Sequence, residues 1–143
     1  MSVHWFTTGF IFVLQMTHNF KALALTYKTA PVAIRELVSL NEAATKALHQ
    51  FIRNYTTATD VLVVSTCNRT EIYYLADNDF SSEIFKGLSL IKNCKGGFED
   101  HFTKISGSEA VQHLFEVSLG LDAQVIGDLQ ISGQIKNAYQ WSA

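Results

Sequence analysis

Apolar residues recur along this chain at two different periods, and each change of period marks a change of element. "KALALTY", residues 21 to 27, alternates as a strand does, and "KTAPVAIREL" turns at Pro31 into a short helical piece. Ala44, Ala47, Leu48, Phe51, Ile52 and Tyr55 fall on one helical face. Ser39, followed three residues later by Glu42, has the form of a capping box that would start this helix. "VLVVS" at 61 to 65 is a continuous apolar run, as in a strand covered on both faces. "RTEIYYLA" at 69 to 76 alternates Arg69, Glu71, Tyr73 and Leu75 against Thr70, Ile72, Tyr74 and Ala76. The two runs read as a hairpin with Cys67 and Asn68 at its bend.

Ile84, Phe85, Leu88 and Ile91 mark a further amphipathic helix, "NCKGG" is a loop, and "HFTKI" at 101 to 105 reads as a last strand. Strand, helix, strand, strand, helix, strand is the split βαβ order. The expected fold is therefore α+β and ferredoxin-like, with two helices on one face of a mostly antiparallel four-stranded sheet and additional C-terminal helices. Ser106 with Glu109 forms a second capping-box pattern ahead of a third helix carrying Val111, Leu114, Phe115 and Ser118. Ile131, Ile135, Ala138 and Tyr139 keep helical spacing to the end of the sequence. Residues 127–143 thus read as the start of a truncated helix, after a domain at 21–126. The apolar run from Val3 to Leu14 is too short for a membrane span and lacks the flanks of a secretory signal, and Met16 follows it. Residues 1–20 are expected to be a poorly structured tail or a mis-assigned start.

With 143 residues, 48% hydrophobic and 17% charged, the chain suits one compact domain. A net charge of −2 argues against a strongly basic nucleic-acid clamp but leaves room for a contact that reads RNA shape or an RNA end. Cys67 and Cys94 form no CxxC pair, so neither a zinc site nor a disulfide framework is expected; free thiols fit a reducing cytoplasm. No pair of the five histidines has ligand spacing, so no metal is expected. No glycine-rich phosphate loop is present in the sequence.

Cys67 carries the strongest candidate chemistry. A free thiol titrates near about 8.5, and a cation or backbone amides at the bend would raise its thiolate fraction. Arg69 is the nearby cation, and two residues along an extended chain would bring the two side chains to one side. Thr66 and Asn68 add a hydroxyl and an amide able to hydrogen-bond a substrate. The competing reading, a cysteine packed as a small hydrophobe, stays open on local chemistry alone. Cys94 has Lys92 and Lys95 nearby but no recognisable pattern. His113 borders the apolar stripe of the third helix, and so either packs at a helix edge or reaches a cleft. His49 lies on the polar side of its helix, His101 has no evident partner, and His4 and His18 fall in the tail.

"STCNRTEIY" (65–73) resembles the active-site signature of the glutamyl-tRNA reductase family. "YKTAPVAIRE" (27–36) is similar to that family's first strand-to-helix segment, and "HLFEVSLGLDAQVIGDLQISGQIKNAY" (113–139) to its long downstream motif. The resemblance covers residues 21 to 139 almost completely. It implies a catalytic N-terminal domain of a cytoplasmic enzyme that starts tetrapyrrole (porphyrin) synthesis. In the family a cysteine attacks the ester of glutamyl-tRNA, and NADPH reduces the resulting thioester to glutamate-1-semialdehyde. On this resemblance Cys67 is the nucleophile and His113 a second catalytic group, a proton donor or polarising group. Thr66, Asn68, Arg69, Asp128, Leu129, Gln130 and Gln134 would contact substrate.

The resemblance also implies a homodimer, and a downstream aminomutase as a pathway partner, with no membrane attachment. The family's NADPH-binding and dimerisation domains are expected to be absent from these 143 residues, so the chain alone would stop at the thioester or hydrolyse it slowly. Departures from the family pattern are Tyr27 for histidine, Glu116 for arginine and Ala123 for serine, with Asp128 for glutamate, Leu129 for proline and Ser132 for leucine. They keep two alternatives in view: a non-catalytic or regulatory module that binds tRNA or protein, and a generic ferredoxin-like metabolite-binding domain.

Overall fold

A computed structural model describes residues 17–120. The elements in order are β1 (Phe20–Thr26), α1 (Val32–Val38), α2 (Glu42–Tyr55), β2 (Thr59–Ser65), β3 (Arg69–Leu75), α3 (Ser81–Ile91), a 3₁₀ turn (Glu99–His101), β4 (Thr103–Ser106) and α4 (Ser108–Ser118). The sheet order is β2-β3-β1-β4, with every neighbouring pair antiparallel. This is the ferredoxin-like arrangement that the order of periods predicts.

The two sheet faces bury different layers. Leu23, Leu25, Val61, Val63, Ile72 and Tyr74 point toward α2 and α3 and share one core with Leu48, Ile52, Ile84 and Leu88. Phe85 joins it, with its ring centroid 5.1 Å from Phe102 and 6.0 Å from Phe98. Burial on this scale supplies most of the stabilisation of a domain this size. The Phe51 ring of α2 lies directly over Gly87 of α3, where a Cβ would come within 2.5 Å of it. On the opposite face Ala22, Val64 and Tyr73 pack against Ala110 and Val117 of α4. Residues of β2 contribute to both layers, as its unbroken apolar run predicts, and β3 is buried from Arg69 to Tyr74.

Several local expectations are corrected. Asn41 caps α2 by accepting from the Ala44 amide at 2.8 Å, while Ser39 closes α1; the Ser39–Glu42 spacing is therefore not a capping box here. Gly107, not Ser106, precedes α4 and makes no side-chain cap. Its φ of 67° and ψ of −140° lie in a region open only to glycine, and its amide donates to Phe20 O at 2.8 Å. The last strand begins at Thr103, because His101 is taken up by the 3₁₀ turn. On α2 the buried positions are Thr45, Leu48 and Ile52, whereas Ala47 and Tyr55 are exposed.

Candidate active site

The hairpin bend between β2 and β3 is held from several directions. Inside it, the Thr66 amide donates to Arg69 O at 2.8 Å and the Asn68 amide to Thr66 Oγ1 at 3.1 Å. Across the sheet, the Tyr27 amide donates to Asn68 O at 2.8 Å. Just below, Ser65 Oγ accepts from the Leu40 amide at 2.9 Å and lies 3.2 Å from Thr70 Oγ1, whose hydroxyl donates to Val38 O at 3.3 Å. From α1, Arg35 Nε donates to Cys67 O at 3.2 Å and Arg35 Nη1 to Ala30 O at 3.1 Å. Thr66 and Asn68 are half-buried, and Cys67 between them is an exposed free thiol.

Beneath the bend lies a charged cluster. Alternation along β3 turns Arg69, Glu71 and Tyr73 to the face that α4 covers. Arg69 and Glu71 are only 1% and 0% exposed, so each charge needs partners. Glu71 Oε1 accepts from His113 at 2.7 Å and from Arg69 Nη1 at 3.3 Å, and Glu71 Oε2 accepts from the Tyr73 hydroxyl at 2.7 Å. His113, one turn into α4, has a side chain 18% exposed, so its imidazole runs from a buried carboxylate toward solvent. A proton on Nε2 shared with a carboxylate fixes the ring's orientation, the arrangement by which a general acid or base is held in place.

Of the residues singled out in the sequence, Thr66, Cys67 and Asn68 meet at the bend, and Arg69 and His113 meet through Glu71. Because Cys67 stands on a bend rather than in extended strand, alternation does not set its side chain beside that of Arg69, whose guanidinium turns inward to Glu71. Asp128, Leu129, Gln130 and Gln134 lie outside the described residues, as do Ala123, Ser132 and the Val3–Leu14 run. Glu71 and Arg35 were not singled out. Glu71 carries a legible signal, a carboxylate two residues from an arginine in an otherwise apolar strand; Arg35 carries none beyond its place in "YKTAPVAIRE".

Five further side chains differ from expectation or qualify it. His49 is half-buried, not solvated on a polar face; its Nε2 has no hydrogen-bond partner, and burial and the nearby Arg53 push its pKa below 6.5. His101 does have a partner, with Nδ1 2.9 Å from Thr29 O. Cys94 is half-buried against the main core. Tyr27, at the position of the family histidine, lies half-buried with Lys28 Nζ 5.7 Å from its ring centroid. Glu116 accepts from Gln112 on its own helix at 3.0 Å. Among the described residues no group of three or more His, Cys, Asp and Glu side chains could hold a metal ion, and no helix is long and apolar enough to cross a membrane.

The profile of the family described as "Glutamyl-tRNAGlu reductase, N-terminal domain" matches residues 23–143. The chain belongs to the glutamyl-tRNA reductase family. A glutamyl-tRNA reductase from Cytophaga hutchinsonii is 50% identical over 131 residues, which are 90% of this chain and 31% of that protein. One from Idiomarina loihiensis is 37% identical over 121 residues, 83% of this chain and 28% of the relative. The chain thus spans about a third of the length of these relatives and corresponds to the family's N-terminal domain. The solved glutamyl-tRNA reductase from Methanopyrus kandleri shares the fold with a TM-score of 0.68 at 24% identity, over 87% of this chain and 28% of that one.

Proposed function

We propose that this domain is the acyl-accepting part of a glutamyl-tRNA reductase, with Cys67 as its nucleophile. The observation that carries the reading is an exposed thiol on a braced bend, with an imidazole held by the buried Glu71 on the same hairpin. The thiolate forms a sulfur–carbon bond to the glutamyl carbonyl, the ester carbon–oxygen bond breaks, and the terminal ribose oxygen of the tRNA leaves as a hydroxyl. His113 is the proposed donor of the proton that oxygen takes. The product is an enzyme-bound thioester at the same oxidation level as the ester.

Thr66 and Asn68 would line the pocket, and Arg69, 1% exposed, would form its floor. Asp128, Leu129, Gln130 and Gln134 would close it, from the segment at 127–143, which on this reading would start a linker helix after a domain at 21–126. NADPH would supply the hydride that turns the thioester into glutamate-1-semialdehyde. Among the described residues no glycine-rich turn of the dinucleotide-binding type is found. The same reading carries a cytoplasmic setting, a homodimeric full-length enzyme and an aminomutase downstream.

The test is incubation with glutamyl-tRNA labelled in the glutamyl group, followed by acid trapping. The wild-type chain is expected to carry label and Cys67→Ser to carry none. An unlabelled wild type would end the claim of chemical competence, and if tRNA still bound, it would point to a non-catalytic binding module.

A further inference from the structure

The segment "YKTAPVAIRE" has no role in the reaction as described above. Its contacts give it one. α1 straddles the catalytic bend: at its C-terminal end Val38 is fully buried and accepts through its carbonyl from Thr70, and at its middle Arg35 reaches back to Cys67. We propose that Arg35 is a positioning residue for Cys67, clamping the nucleophile's own carbonyl to the loop ahead of α1 so that the thiol is presented in one orientation. This rests on the reading of Cys67 as nucleophile.

Arg35 forks onto two carbonyls from different segments, Cys67 O through Nε at 3.2 Å and Ala30 O through Nη1 at 3.1 Å. Ala30 is itself held, its amide donating to Thr26 O at 2.9 Å, and it is buried in the main core. One arm of the fork therefore rests on the turn between β1 and α1 and the other on the bend. A planar guanidinium spans two acceptors in a set geometry, whereas a lysine ammonium is a point charge on a flexible stem. Among the described residues Arg35 has no carboxylate partner, so its charge remains one peptide group from the reacting residue. The Tyr27 amide on Asn68 O ties the adjacent peptide to the same loop. Two successive carbonyls of the bend are thus held by one segment, and the thiol stands on the first of them.

The test uses the 143-residue chain with Arg35→Met and Arg35→Lys. Three quantities are read: the single-turnover rate and half-saturation of labelled glutamyl adduct formation, the rate of iodoacetamide alkylation of Cys67 with Cys94 as internal control, and the thermal midpoint. Arg35→Met is expected to slow adduct formation about tenfold with half-saturation changed less than about twofold, as misorientation of a reacting group does. Alkylation of Cys67 should fall about threefold, with Cys94 and the thermal midpoint unchanged. Arg35→Lys should restore less than about half of the lost adduct rate and of the lost alkylation rate, because both need the fork.

Wild-type behaviour of Arg35→Met in both readouts overturns the proposal. Full rescue by lysine overturns the clamp, and equal changes at Cys67 and Cys94 with a lowered midpoint reduce Arg35 to a fold-stabilising residue and overturn it too. Should the wild type form no adduct, the proposed function fails instead. The alkylation arm then decides Arg35 alone: a selective loss at Cys67 upholds positioning, and no loss overturns it.

Discussion

Glu71 is the hub of the buried charged cluster. It accepts from His113, Arg69 and Tyr73 while fully buried, so its removal leaves two charged or chargeable groups facing an apolar layer. Glu71→Ala is expected to cost about 3–5 kcal/mol, the range for breaking a buried ion pair by deleting one partner. Tyr73→Phe, which removes one neutral donor to the same carboxylate, should cost about 1 kcal/mol. Urea unfolding of the two variants checks the ranking; near-equal losses would mean that the pair with Arg69 contributes little. The sequence displayed Arg69, Glu71 and Tyr73 on one side of a strand, but such a side ordinarily faces water. Among the described residues α4 docks on that face, with His113 reaching Glu71, and docking of a helix is a tertiary fact with no local signature.

At the level of elements, the periods were sufficient to give strand and helix order, the hairpin at Cys67 and the sheet topology. They were insufficient for the ends of helices. The capping-box pattern is short and degenerate; at Ser39 it was outcompeted by Asn41, whose side chain meets the Ala44 amide directly. At the entry to α4, backbone geometry decides: Gly107 turns the chain from β4 into the helix that carries His113. Gly107→Ala should cost about 1–3 kcal/mol, because the strain of a side chain at this φ and ψ has no local escape. The loss would be read as a lowered thermal midpoint, with adduct formation falling if His113 shifts with the start of the helix. An unchanged midpoint would mean that the turn relaxes to another conformation.

Taken as a whole, the molecule hides one base it would rather keep neutral. The pKa of His49 is held below 6.5 in the fold, so between that value and its folded pKa the unfolded chain binds a proton that the native one does not. Stability should therefore fall as pH drops below 6.5 and level off once the folded pKa is passed. Asp79 acts in the same direction but only below 3.8: burial alone would raise its pKa, and hydrogen bonds from Ser81 and Lys104 more than offset it. Urea midpoints near neutral pH and at about pH 5.5 should differ in the wild type and converge in His49→Gln. A persistent difference would place the sensitivity elsewhere. The sheet order has a consequence for synthesis. Leu23 of β1, made first, pairs with Ile72 on one side and with Lys104 of β4, made last, on the other. A nascent chain on the ribosome carries an open hydrogen-bonding edge on β1, one of the two central strands, until residues 103–106 emerge. Until β4 emerges, α4 cannot follow it, so Arg69 and Glu71 of the charged cluster are made well before His113, the partner that reaches Glu71 from that helix.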